Sequence, residues 1–148
     1  MFPERFDELR KNYSDHELTG ELVFESDFSE NTSIFQSDVL ITDWSNIAYE
    51  FSYCTLKPSV FINTPMKVMN PNYLLYGLEV LDITLRDKLG ISVDVENINE
   101  LGKTVTKLID ESSTYKNQIE HTVKQYLFYP GRSGEAGGKY IIGKLTDK

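Results

Sequence analysis

The chain has 148 residues, of which 15 are Lys or Arg and 23 Asp or Glu, for a formal net charge of −8 at pH 7. With 40% apolar and 12% aromatic residues it can bury one sizeable core, and it is too apolar to remain disordered. The acidic balance excludes a nucleic-acid binder, whose affinity rests on clustered Lys and Arg, and no apolar run approaches the roughly 20 residues of a membrane span.

The single cysteine, Cys54, cannot form an internal disulfide, so a reducing cytoplasm is the expected compartment. The opening Met1-Phe2-Pro3-Glu4-Arg5-Phe6 has no apolar signal-peptide segment. There is no His/Cys cluster, and the acidic residues are not at ligand spacing, so neither a metal nor a cofactor is expected.

In chain order, Pro3 and the spacing of Phe2, Phe6 and Leu9 predict an amphipathic helix over residues 1–12. Leu18 to Phe24 reads as a strand, and residues 29–35 as a short capped helix. Val39-Leu40-Ile41-Thr42 is a short β-branched run, as in a strand buried on both faces of a parallel sheet. Asp43-Trp44-Ser45-Asn46 supplies turn chemistry, and a helix begins at Ile47. Lys57-Pro58 ends that helix, and Ser59 to Ile62 is the next strand, stopped by Asn63-Thr64-Pro65. A long loop with Pro65, Asn70, Pro71, Asn72 and Gly77 follows. Then come a weak helix over 83–89, an edge strand over 91–95, and helices over 97–110 and 112–128. Four glycines within residues 131–138 predict a flexible joint before a last helix over 139–145.

Alternating strands and helices predict an α/β layer architecture with a mostly parallel sheet. Ligands of such sheets bind outside the carboxyl ends of the strands, which selects the loops after Thr42 and Ile62. At the first of these, Thr42, Ser45 and Asn46 can donate to a phosphate docked at the helix N-terminus, where free N–H groups carry positive partial charge. Asp43 would repel a phosphate, but it can orient the loop or accept from a ligand hydroxyl. Glu50 can hold ribose hydroxyls. The plain alternatives are a helix cap at Asp43 or Ser45 and a solvated helix carboxylate at Glu50. Arg132, Ser133 and Gly134 are candidates for a second phosphate clamp, against the alternative of a mere connector.

Ser37-Asp38-Val39-Leu40-Ile41-Thr42-Asp43-Trp44-Ser45, the helix start Ala48-Tyr49-Glu50-Phe51, and Lys57-Pro58-Ser59-Val60-Phe61-Ile62 together resemble the CDP-glycerol glycerophosphotransferase family. The family pattern is Ser-Asp-x-Leu-Ile-Thr-Asp-Tyr-Ser-Ser, a helix, Lys/Arg-Pro and an apolar strand. Trp44 replaces its Tyr, and Asn46 its second Ser. The segment 89–110, Tyr115, and Gly134-Glu135-Ala136 extend the resemblance over most of the chain.

The resemblance implies the C-terminal, donor-binding lobe of a GT-B-like enzyme, an α/β, Rossmann-like three-layer domain with a mostly parallel sheet and one of two such lobes, so that residues 1–148 are expected to be a fragment, with 129–148 its joint and final helix. It implies transfer of glycerol phosphate from CDP-glycerol to a hydroxyl of a membrane-linked acceptor, releasing CMP, in the synthesis of teichoic-acid-type polymers. The full enzyme would work in the cytoplasm, at the inner face of the membrane. The family's His-Pro pair and the His base of the N-terminal lobe have no counterpart here, and His16 and His121 stand in no matching context. The catalytic residues are therefore unknown, and the chain alone is expected to turn nothing over. Two other readings compete. A nucleotide-sugar GT-B glycosyltransferase or epimerase lobe would use the same architecture with another donor. A phospho-receiver would use Asp43 as phosphoacceptor, but lacks the acidic pair and the later Lys.

Overall fold

The computed structural model describes residues 3–25, 32–66, 68, 70–77 and 80–146, with nothing of the Pro3 side chain, and divides the chain into two compact units, Met1–Thr32 and Ser33–Lys148.

In the first unit, helix α1 (Pro3–Asn12) is followed by α2 (Ser14–Thr19). The Arg10 guanidinium joins them by donating from Nε and Nη2 to the Glu17 carboxylate at 3.0 and 2.8 Å. Phe6 meets Phe24 edge to face, with ring centroids 5.7 Å apart. Phe2 lies outside the described residues. The strand expected over Leu18 to Phe24 does not form. Leu18 and Thr19 complete α2, Gly20 ends it in the left-handed conformation at φ 76°, and Leu22 N–H bonds back to the His16 carbonyl instead of to a neighbouring strand.

The second unit is mixed α/β. Helix α3 (Thr32–Gln36), of whose expected span residues 29–31 lie outside the described residues, precedes β1 (Leu40–Thr42), α4 (Ile47–Thr55) and β2 (Ser59–Asn63). After a 3-10 turn at Tyr73–Tyr76 come α5 (Leu81–Thr84), α6 (Arg86–Leu89) and β3 (Gly90–Asp94). The chain closes with α7 (Leu101–Asp110), α8 (Ser112–Tyr126) and α9 (Ser133–Thr146). The strands form an open sheet in the order β1-β2-β3, all parallel, with Leu40 opposite Ser59 and Ser59 opposite Gly90.

Successive strand residues point to opposite faces, so this register sorts the side chains. Phe61 joins Leu40 on one face, packed with Ala48 of α4, Leu85, Leu89 of α6 and Ile119 of α8. Val60, Ile62, Ile91 and Val93 occupy the other, packed with Leu101, Val105 and Leu108 of α7. Helices therefore cover both faces, and β2 is the buried strand. The β1 run, expected to be buried on both sides, instead lies at a sheet edge, where Ile41 is 48% exposed.

Lys57-Pro58 gains a structural meaning. Leu56 takes the left-handed conformation at φ 56°, Pro58 is buried, and Lys57 Nζ donates to the Ser37 carbonyl at 2.8 Å, tying the exit of α4 to the segment before β1. At the start of β3 the strands approach so closely that a Cβ on Gly90 would lie 1.7 Å from the Ser59 carbonyl oxygen.

The predicted weak helix over 83–89 is two short ones, α5 and α6. Residues Val95–Glu100 form a 3-10 stretch, with Asn97 outside helical geometry, so the helix expected from 97 begins at Leu101. The joint expected over 131–138 is also corrected, because α9 runs through Gly134, Gly137 and Gly138, and only Gly131, at φ 71°, stands before it in the left-handed conformation. Glu135 reaches back to Arg132 at 3.0 Å and forward to Lys139 at 2.7 Å, one helical turn either way, which supports the first turns of α9. Among the described residues, no helix is long and apolar enough to cross a membrane.

Candidate functional site

The parallel strands end on one side of the sheet in Thr42, Asn63 and Asp94. A cleft of about 240 Å³ opens there, roughly eight waters at ~30 Å³ each. Its wall takes Asp43, Trp44, Ser45 and Asn46 from the loop after β1, and Phe61 from β2. Tyr49 of α4, Met66 and Tyr73 after β2, Asp82 of α5 and Arg86 of α6 complete most of the rest.

Among the described residues the side chains of this loop make few bonds within the chain, whereas the N–H groups of Ala48, Tyr49 and Glu50 bond to the Ser45 and Asn46 carbonyls. Asn46 is the N-cap residue of α4 but makes no side-chain cap. The Ile47 N–H reaches Ser45 Oγ only at 3.5 Å. Ser45 and Asn46 are exposed, and the first turn of α4 carries the partial positive charge of a helix N-terminus. Trp44 is held differently. Its Nε1–H donates to the Thr64 carbonyl at 2.7 Å, which ties the loop after β1 to the loop after β2.

Arg86 is the unusual member of the wall, 4% exposed at the start of α6. Period-two alternation puts Phe61 and Asn63 on the same face of β2, and the guanidinium meets both. Its carbon lies 4.8 Å from the Phe61 ring centroid and 3.9 Å from that of Trp44, and Nη2 donates to Asn63 Oδ1 at 2.9 Å. Asn63 in turn donates from Nδ2 to Asp94 Oδ1 at 2.7 Å, across the pair that ends the β2–β3 register. A cation on one side and a carboxylate on the other fix the amide orientation of Asn63. Among the described residues, the buried Nε and Nη1 of Arg86 have no hydrogen-bond partner. Burial pushes the guanidinium pKa down, opposed by Tyr49, Asp87 and Asp43; it remains a cation throughout the ordinary pH range.

The side of the cleft formed by α4 and α5 is fastened by Tyr49, whose hydroxyl donates to the Asp82 carbonyl at 2.7 Å. Burial, and after it the Asp82 carboxylate, pushes the Tyr49 pKa up, so the phenol stays a donor. The Asp43 and Asp82 carboxylates are both exposed in the wall.

Of the residues that the sequence selects, Asp43, Ser45 and Asn46 come together in the cleft. Thr42 is opposite Phe61 in the sheet and is not in the wall, and Glu50 is an exposed residue of α4 outside it. Arg132 lines a separate depression with Tyr129, Glu135, Ala136 and Lys139, and its Nε is bonded to Glu135; Ser133 and Gly134 begin α9. The sequence gives no role to Arg86, makes Asn63 only the stop of a strand, and makes Trp44 a turn residue and a departure from a pattern. The available signal was Asn63, a polar residue two positions after Phe61 on the same face of a buried strand.

Compared with protein-family models, with curated proteins and with solved structures, the chain matches none.

Proposed function

We propose that this chain is the donor-binding part of a glycerophosphotransferase that moves glycerol phosphate from CDP-glycerol to a hydroxyl of a cell-surface polymer acceptor. One observation carries the reading: the loop Asp43–Asn46, which continues the strand that carries the family resemblance, forms part of the wall of a cleft at the carboxyl edge of a parallel sheet. The sheet supports it too, since parallel strands added in chain order are what one half of a doubly wound, Rossmann-like sheet contains.

On this reading Ser45 and Asn46 donate to the donor phosphates, Asp43 accepts from a donor hydroxyl, and the aromatic side chains of the wall pack against the base. The acceptor oxygen attacks the phosphorus of the glycerol phosphate, the bond to the CMP oxygen breaks, and CMP leaves. The base that takes the acceptor proton comes from a second lobe. Exposed Phe128 and Tyr129, and Tyr140, Ile141 and Ile142 on α9, are apolar surface suited to meeting that lobe. The complete enzyme would be cytoplasmic and peripheral to the membrane that carries the acceptor. Glu50 and Arg132 have no part in this reading.

Calorimetric titration of the chain with CDP-glycerol, CMP and UDP-sugars tests it. Saturable binding of CDP-glycerol is expected, weakened about fivefold by Ser45→Ala or by Asn46→Ala, the equivalent of ~1 kcal/mol for one hydrogen bond. Unchanged affinity in both variants refutes the loop assignment. Binding of UDP-sugars without CDP-glycerol makes the chain a sugar-nucleotide lobe, and stoichiometric labelling of Asp43 by acetyl phosphate makes it a receiver.

A further inference from the structure

A guanidinium has five N–H donors, and of those on Arg86 the one on Nε and the two on Nη1 are buried without an acceptor. Asn63 takes Nη2, and among the described residues Arg86 forms no ion pair. A chain that buries a cation this deeply and leaves most of its donors unpaired either carries an isolated defect or holds the cation for something that arrives later. The surroundings favour the second. Asn63 and Asp94 hold the guanidinium by a relay at 2.9 and 2.7 Å, and the Trp44 and Phe61 rings lie against it. The same cleft wall contains Ser45 and Asn46, which can donate from a hydroxyl and an amide, beside the exposed carboxylates of Asp43 and Asp82.

We propose that Arg86 is the anion receptor of this cleft and binds a phosphate group of its ligand, a phosphate monoester or a diphosphate. Phosphate suits the site better than a carboxylate because its three or four oxygens can use Arg86, the Ser45 hydroxyl and the Asn46 amide together, within the positive partial charge at the start of α4. The proposal deepens the reading above by naming the residue that takes the donor's charge; it rests on that reading for the location of the site but not for the identity of the nucleotide.

The geometry adds a consequence for Trp44. Nε and Nη1 are sealed from solvent, and the indole lies 3.9 Å from the guanidinium carbon, latched by its hydrogen bond to the Thr64 carbonyl. An anion reaches those donors only as the side chains around the guanidinium rearrange, and the indole lies against it. Trp44 is the one tryptophan of the chain, so its emission reports the event directly.

The experiment is a fluorescence titration of the 148-residue chain with pyrophosphate, CMP and cytidine, at ionic strength held constant with chloride. Pyrophosphate and CMP are expected to change the Trp44 emission saturably, and chloride is not. Arg86→Met is expected to abolish the response. Arg86→Lys, which keeps the charge and loses the planar fork, should weaken it at least tenfold. Asn63→Asp, made together with Asp94→Asn so that an amide still donates across that 2.7 Å contact, supplies Arg86 with a carboxylate of its own and should likewise weaken the anion at least tenfold; this variant leaves Arg86 in place and guards against a folding defect in Arg86→Met. Circular dichroism confirms the fold of each. The proposal is overturned if pyrophosphate leaves the wild-type emission unchanged, or if it binds Arg86→Lys and the double variant Asn63→Asp, Asp94→Asn as tightly as the wild type. Pyrophosphate bound through Arg86 without CDP-glycerol binding sinks the donor reading and keeps the proposal. Equal CDP-glycerol affinity in the wild type and in all three variants does the reverse.

Discussion

Arg86→Met is expected to leave the folding free energy nearly unchanged, although it removes a buried charge and three contacts. Two opposing sets of terms follow from the structure. The substitution relieves two buried nitrogens, Nε and Nη1, that have no acceptor, at ~1–3 kcal/mol each, so about 2–6 kcal/mol is regained. It loses the charged hydrogen bond to Asn63, ~1.5–3 kcal/mol, and the contact with the Trp44 face, ~2 kcal/mol in a desolvated setting. The balance centres near zero, within about 3 kcal/mol either way. Methionine is unbranched and fills much of the volume left between Trp44 and Phe61. Breaking a satisfied buried ion pair would instead cost ~3–5 kcal/mol. Urea unfolding followed by far-UV circular dichroism measures the difference; emission is unsuitable because the substitution changes the surroundings of Trp44 itself. A loss above about 4 kcal/mol would mean that Arg86 holds the fold together, and the reasoning from its unpaired donors would be wrong.

Gly90→Ala should destabilise by ~3 kcal/mol or more, because its Cβ would lie 1.7 Å from a backbone oxygen of the central strand, which cannot retreat without breaking the β2–β3 register; thermal unfolding at or near the wild-type midpoint would contradict this. Gly137→Ala should act oppositely, adding up to ~1 kcal/mol and some helicity by circular dichroism, since nothing lies within 4 Å of the added Cβ and residue 137 is inside α9; a loss of helicity would restore the joint expected from the glycines. Stability should fall as pH rises above about 10. Burial holds the Tyr49, Tyr53 and Tyr115 hydroxyls protonated in the folded chain, whereas the unfolded chain releases those protons near pH 10, so ionisation favours unfolding there and has no effect below. Tyr49→Phe should flatten that decline in urea melts at stepped pH, at the cost of ~1 kcal/mol at neutral pH for the lost bond to Asp82, and an equally steep decline in the variant would rule Tyr49 out as its main source.

The parts of this fold legible in the sequence are those where one residue type does one thing. Ser59 to Ile62 announced a buried strand through a continuous apolar run, and Ile98, Leu101, Val105 and Leu108 announced a helix face, although the 3-10 stretch delays the start of α7 to Leu101. The strand over Leu18 to Phe24 failed because β-branched and aromatic residues there had no partner strand, while Gly20 offered a local way to end a helix. The glycines of α9 misled because helical ion pairs around Glu135 oppose their preference for turns. Of the candidate site, the loop after β1 was legible because strand, turn and helix start are contiguous in sequence.

Arg86 was illegible for a physical reason. In Arg86-Asp87-Lys88 it looks like one member of a solvated charged run, and the apolar signal lies in the flanking Leu85 and Leu89, which are buried. What buries it arrives from far along the chain: Trp44 from 42 positions earlier (86 − 44), and Phe61 and Asn63 from the central strand. The sheet register then explains why those partners coincide. Phe61 and Asn63 share a face because they are two apart on β2, and Asp94 joins them because parallel pairing sets it beside Asn63. A one-residue slip of β2 against β3 would turn Phe61 and Asn63 to the α7 face and separate Arg86 from both. The close approach at Gly90 opposes that slip, since Gly90 must lie opposite Ser59 for the strands to pair at all. A glycine at one end of β3 therefore protects the charge relay at the other, so a Gly90 variant that still folds should lose anion binding along with stability, whereas Gly137→Ala should change neither the cleft nor its ligand.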